Sequence, residues 1–299
     1  MMEQEELDNF IEAGKILSKV RQESKSLIMV GEPLLEIAET IETMIYDEDV
    51  EPAFPVNISI NEIAAHYTPE FGCEKMLKET DVVKIDLGVS VDGGLADSAY
   101  TVDLSEKNGE LVKAAQEALD AALAIIKPGV GVGEVGGIIE EKIRSYGFRP
   151  ISNLTGHMIK TNELHAGISV PNVKSSDNYR FQVGDIFAIE PFVTNGRGHV
   201  EDSDQVEIFS LYSPSPIRMR QSRQIIQHVL ENYGLAPFAE RWLREKFPSK
   251  LLVSAALKEM LSAQVIRGYP ILKEQTGSLV SQFEHTILIE ENGIRILTK

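Results

Sequence analysis

The chain of 299 residues contains one cysteine, no run of 18 apolar residues, and many fewer cations than anions. Each shortage excludes something. A lone Cys73 permits neither an intrachain disulfide nor a cysteine-rich zinc site, which fits a reducing compartment and makes Cys73 a structural bystander. Without a long apolar run no membrane-spanning helix is expected. The opening "MMEQEELDNF" is acidic where a secretory signal would be basic and then apolar, so the cytoplasm is the expected location. With 46 acidic against 29 basic residues the formal charge is -17, which repels phosphate backbones; nucleic acid is not an expected partner. Several catalytic signatures are also missing: the zinc helix His-Glu-x-x-His, the Gly-x-Ser-x-Gly elbow and the phosphate loop. "GVGEVG" at 131–136 satisfies Gly-x-Gly-x-x-Gly but follows a helical pattern, whereas a dinucleotide site needs a preceding strand. Its glycines read as a helix cap and points of close packing.

What is present is enough apolar sequence, 43%, for a chain of this length to bury roughly three quarters of its unfolded surface. Apolar spacing predicts helices over about 5–28, 34–46, 110–127 and 132–146, the first ended by Gly31 and Pro33 and the third by Pro128-Gly129. Between them lie β-rich runs, and "DVVKIDLGVSVDGGLADSAYTV" folds back on itself around Asp92-Gly93-Gly94 as a hairpin. A weak internal repeat relates "TDVVKIDLGV" at 80–89 to "VGDIFAIEPFV" at 183–193, and the helices that precede each run also match. The expected architecture is therefore two similar α+β halves facing each other, with a central antiparallel sheet flanked by helices. Residues 210–267 change character to charged, helix-forming sequence and read as a helical insertion within one catalytic domain spanning 1–299.

Four acids sit where apolar strand residues belong. Counting back from a hairpin tip at Val91 and Asp92, Asp86 and Asp97 fall directly across from each other, with Cβ atoms ~4.5–5.5 Å apart. Glu190 in "IFAIEPF" and Glu284 in "LVSQFEHTILI" are each embedded in apolar strand. One such acid is ordinarily a solvent-facing position, but ionised carboxylates drawn together out of water need compensating charge. Lys84 could neutralise one of them. Two divalent cations would balance all four. Oxygen ligands with an imidazole suit Mn(II), Fe(II), Co(II) or Zn(II). Candidate imidazoles are His157 and His165 in "NLTGHMIKTNELHAG" and His66 in "AAHYTPE"; taken singly each also reads as a hydrogen-bonded structural histidine. His199, His228 and His285 lack such surroundings.

The order Asp86, Asp97, His157, Glu190, Glu284, set in "KIDLGVSVDGGLADSAYTV", "NLTGHMI", "FAIEPFVTNGRG" and "SQFEHTILI", resembles the methionine aminopeptidases and their wider pita-bread relatives. More narrowly, "PAFPVNISINEIAAHYTP" and the helical insertion resemble the type II enzymes, in the archaeal form without a long charged extension. The resemblance covers essentially the whole chain.

It implies a pseudo-twofold duplicated pita-bread fold, of class α+β, holding two divalent metal ions per chain. Asp86 would bind one ion with both oxygens, Asp97 and Glu284 would bridge, and His157 and Glu190 would complete the second. His66 and His165 match the non-ligand histidines beside the substrate, and Phe54, Leu164, Phe192 and Tyr269 match the lining of a methionine pocket. Glu190 would accept the proton of the attacking water, with His66 or His165 donating to the carbonyl oxygen or assisting the leaving nitrogen. The expected substrate is the N-terminal methionine of nascent polypeptides, near the ribosome, with a small second residue preferred; the chain is expected to be a monomer. Two other readings stand beside this one: an Xaa-Pro peptidase of the same fold, and a non-catalytic homologue that binds protein or RNA.

Overall fold

In chain order the computed structural model, which describes residues 3–299, runs α1 (Gln4–Ser24), α2 (Leu34–Tyr46), β1 (Glu51–Ile60), β2 (Ile63–Ala65), β3 (Val82–Val91), β4 (Gly94–Asp103), α3 (Gly109–Ile125) and α4 (Val132–Ser145). It continues through β5 (Arg149–Pro150), β6 (Thr155–Ile159), β7 (Ser169–Pro171), β8 (Ile186–Ile189), β9 (Phe192–Thr194) and β10 (Glu201–Leu211). Then come α5 (Arg220–Asn232), β11 (Phe238–Ala239), α6 (Glu240–Lys246), α7 (Lys250–Ser262), β12 (Ile266–Lys273), β13 (Val280–Gln282), β14 (His285–Glu290) and β15 (Gly293–Ile296).

The helices form where the apolar period is 3.6. In α2, Leu34, Ile37, Ala38, Ile41 and Ile45 make one buried stripe, started by Pro33, which suits the entry to a helix because its missing N–H is not needed there. Helices α1 and α2 bury such stripes against β1, β3 and β4, and α3 and α4 do the same against β6, β8 and β14, so each half owns a hydrophobic core. The first helix ends earlier than its periodicity suggested, at Ser24, and continues as one tighter turn over Lys25–Leu27.

The antiparallel sheet expected at the centre is divided into four hydrogen-bonded ladders: β1-β3-β4, β11-β10-β12-β2, β13-β9-β5 and β15-β14-β8-β6-β7. The halves meet where β4 crosses the segment joining β13 to β14. There Glu284 donates its backbone N–H to Ala99 O at 3.0 Å, and the Thr286 hydroxyl bridges the backbone of Asp97 at 2.8 Å on both sides.

The β3–β4 hairpin corrects one expected pairing. Its turn is Asp92-Gly93, with φ of 44° and 85°, and Val91 pairs with Gly94. Two successive residues with positive φ are what a two-residue primed turn requires, and Asp-Gly supplies them at low cost. Asp86 therefore pairs with Ala99 and Asp97 with Gly88; the two aspartates are diagonal neighbours on one face and not directly opposed.

Helices α5, α6 and α7 all lie between β10 and β12, within the stretch 210–267, and close their own apolar cluster around Phe209, Val229, Phe238, Leu243 and Met260. That stretch also contains a strand, β11, which pairs with β10. The glycines of 131–136 behave as packing residues: a Cβ on Gly133 would lie 2.4 Å from Ser175 O and one on Gly136 2.3 Å from Val173 O. Among the described residues no helix is long and apolar enough to cross a membrane.

Candidate metal centre

Strand alternation converges the acids. Asp86 and Asp97 come from one face of the β3–β4 hairpin, while Gln282, Glu284 and Thr286 follow one another at period two along the chain that crosses it. His157 projects from β6 and Glu190 follows the end of β8, its neighbour in the sheet. Glu284 is 1% exposed, Asp97 4% and His157 5%. One ligand atom each from Asp97, His157 and Glu284 lies within 4.8 Å of the others. His157 Nε2 is 3.5 Å from Asp97 Oδ2 and 3.6 Å from Glu190 Oε1.

The imidazole is held neutral and keeps one lone pair free. His157 Nδ1 lies 2.7 Å from Leu164 O, and a carbonyl only accepts, so Nδ1 carries the hydrogen and Nε2 turns its lone pair toward the carboxylates. Burial pushes His157 down to about 4, so it is neutral near pH 7. His66 is held in the same way: Nδ1 donates to Pro270 O at 3.1 Å, with the residue at a φ of 64° just beyond β2. Burial lowers this group too. The His165 ring sits 4.2 Å from that of His157 and is pushed down to about 3, by burial first and then by its imidazole neighbours.

The carboxylates show the reverse pressure. Burial raises Asp97 to about 7. Burial, followed by the charge of Asp97, also raises Asp86, Glu190 and Glu284 well above the usual carboxylate range. Lys84 does not relieve them: fully buried, it donates to Asn61 O and Val280 O at 3.1 and 3.0 Å, and burial pushes it down to about 7. Among the described residues, Asp86 Oδ1, Asp97 Oδ1 and Glu284 Oε1 are buried without a hydrogen-bond partner. Buried oxygens that lack donors, beside an imidazole lone pair, fit divalent cations, whose charge would reverse the pressure on the acids.

Above the acids a cavity of ≈ 240 Å³ is lined by Phe54, His66, Leu164, His165, Phe192 and Tyr269, and the five candidate ligands line it too, so the candidate site residues reach one pocket. The Phe54 ring lies over Gly88, its partner across the β1–β3 ladder, where a Cβ would come within 2.5 Å of the ring. Sequence reasoning missed Asn57, Asn153, Thr155, Ile208, Pro237 and Leu272, which also line the cavity, and Gln282, whose amide donates to Glu190 Oε2 at 3.3 Å. Gln282 carried a legible signal, two residues before Glu284 on the same strand face. Asn57 did not, because β1 breaks its register between Phe54 and Asn57.

Residues 8–291 match the model of metallopeptidase family M24. The methionine aminopeptidase of Methanocaldococcus jannaschii is 50% identical over 298 residues, covering 100% of both chains. Among solved structures, the methionine aminopeptidase of Thermotoga maritima superposes with a TM-score of 0.73 at 25% identity, covering 100% of this chain and 98% of that one. A thermophilic Arx1 reaches a TM-score of 0.87 at 18% identity over 99% of this chain and 91% of that one, a likeness of fold alone. The full-length identity favours the methionine aminopeptidases over the Xaa-Pro peptidases as relatives. The buried acid–imidazole cluster thus sits in a chain that belongs to metallopeptidase family M24 and, within it, to the methionine aminopeptidases of the archaeal, type II form.

Proposed function

We propose that the protein is a methionyl aminopeptidase that releases the N-terminal methionine of nascent polypeptides in the cytoplasm, and that it acts as a monomer. The observation that carries this reading is the set of unpartnered buried carboxylate oxygens on the floor of an apolar pocket. Asp86, Asp97, His157, Glu190 and Glu284 would hold two divalent ions, Mn(II), Fe(II), Co(II) or Zn(II). When bound, such ions compensate the carboxylates and acidify the water that attacks the scissile carbonyl.

The chain's own groups divide the remaining work. Glu190, oriented by the Gln282 amide, takes the proton of the attacking water at a carboxylate oxygen and passes it to the leaving nitrogen as the C–N bond breaks. The two histidines separate by tautomer. Because His66 spends its hydrogen on Pro270 O, its free Nε2 only accepts, which suits the N–H of the scissile amide. His165 has no such tie among the hydrogen bonds described and can turn an N–H toward the carbonyl oxygen. Phe54, Leu164, Phe192 and Tyr269 receive the thioether side chain, and Tyr269 is steadied by Ser210 at 3.1 Å. A free α-amine beside the acids identifies the chain end, so one residue is removed.

Metal-loaded protein should release methionine from Met-Ala-Ser and leave N-acetyl-Met-Ala-Ser intact. Chromatography of the products checks this. Cleavage of the acetylated peptide, or of Xaa-Pro peptides in preference to Met-Ala-Ser, would overturn the assignment.

A further inference from the structure

Arg241 lies in α6 of the 210–267 stretch, yet the residue is 5% exposed and its guanidinium reaches into the half of the fold that carries His66 and Phe54. It pairs with Glu42 of α2, itself 5% exposed, and the neighbouring Trp242 Nε1 donates to the other oxygen of that carboxylate at 2.9 Å. The pair closes around a single residue of β1. Val56 sits where the β1–β3 register breaks, between Phe54 and Asn57. Its N–H donates to Glu42 Oε1 at 3.1 Å, and its carbonyl accepts from the Thr68 hydroxyl at 2.7 Å. Arg241 Nη1 donates in turn to the Thr68 hydroxyl oxygen and to Pro69 O. Two walls of the pocket are thereby held from behind by one side chain: the irregular stretch that presents Phe54, and the segment that leaves His66 in its left-handed conformation. A residue at such a φ persists only when its surroundings over-determine it.

We propose that Arg241 is a positioning residue for His66 and Phe54, acting through Glu42 and Thr68, so that the helical stretch between β10 and β12 sets the geometry of the reacting site as well as enclosing it. This rests on the proposed function for the roles of His66 and Phe54, though not for the network itself. Removing one member of a buried ion pair strands the other; Arg241→Met is therefore paired with Glu42→Gln. Thr68→Val is the finer probe, since it deletes the hydroxyl that accepts from Arg241 and donates to Val56 O, and leaves the Glu42–Arg241 pair, with its hold on the Val56 N–H, intact.

In the full-length, metal-loaded protein, Thr68→Val and the double variant should lower kcat on Met-Ala-Ser per folded chain by on the order of 10- to 100-fold, the scale of a misplaced catalytic group. Bound metal per chain should not change, because none of the candidate ligands touches the network. Thr68→Ser, which keeps the hydroxyl, should return kcat to near the unsubstituted value. A melting temperature that falls while kcat per folded chain stays constant would show a structural brace only and overturn the proposal. The His66 imidazole resonances supply a readout free of turnover: they should shift in Thr68→Val and not in Thr68→Ser, even if methionine release itself proved to be the wrong activity. Resonances unmoved in both variants would also refute it.

Discussion

Glu284→Gln is expected to lower methionine release by on the order of 10³-fold or more, a loss at the upper end of that for removing one preorganised electrostatic group, while making the metal-free protein more stable. The opposite signs follow from the geometry. Glu284 is pinned through its backbone, donating to Ala99 O at 3.0 Å and accepting from the Ser98 hydroxyl at 2.8 Å, so an isosteric amide keeps its place. Its carboxylate, raised by burial and then by Asp97, Glu190 and Asp86, costs the metal-free fold energy at neutral pH. An amide removes that repulsion, and with it a charge that the proposed pair of divalent ions would require. Elemental analysis of bound metal, peptide turnover and a metal-free melting curve test the three parts together. If the metal-free Glu284→Gln variant melts below the unsubstituted protein, the carboxylate is an ordinary structural group.

The second large effect is a metal-free stability that falls as pH rises. Asp97 has its folded value raised to about 7 from an ordinary value near 4, and Asp86, Glu190 and Glu284 are raised in the same direction. Between about pH 4 and 7 these four acids therefore bind more protons in the folded protein than in the unfolded chain, and their linkage slope is negative; His66, His157, His165 and His285, lowered chiefly by burial, oppose it until the pH passes the ordinary imidazole value of about 6.5. The contribution of these groups is fully present below the ordinary carboxylate range and is lost as pH passes through the raised values. Glu259, lowered by the Ser222 hydroxyl, and Glu140, lowered by the Lys174 backbone N–H, work the other way and lose their contribution only below that range. Metal held by the proposed ligands would reverse the trend set by the acids, because it would bind them deprotonated and stabilise more as pH rises. Denaturant titrations at pH 6.5 and 7.5, above most of the imidazole range, with chelator and with Mn(II), check it. Equal metal-free stability at both pH values would contradict the burial of these acids.

The legible part of the fold was the part that local periodicity encodes. Helix α2 and the Asp92-Gly93 turn follow from apolar spacing and from a dipeptide that tolerates positive φ. Register was less legible: placing the tip one residue early turned a diagonal pair into an opposed one, although both residues stayed on the same face because the period is two. The acids of the site were readable because a carboxylate in an apolar strand is an anomaly that burial makes expensive. Asn57, Pro237 and Leu272 violate no local rule, and only the closure of the pocket brings them in. Lys84 was readable as a charge among the acids but not as a cation spent on the carbonyls of Asn61 and Val280, since those contacts span up to 196 positions of sequence. The network of Arg241 was invisible for the same reason, being assembled from residues 199 positions apart.

The most direct test is to strip the protein with chelator and titrate Mn(II) or Co(II) back at pH 7.5, following bound metal, proton release and methionine release from Met-Ala-Ser in one series. The account predicts two ions per chain, protons displaced from the raised carboxylates as they bind, and turnover that appears only with metal. Full turnover in the stripped protein, or metal that binds without displacing protons and leaves Met-Ala-Ser uncut, would contradict it.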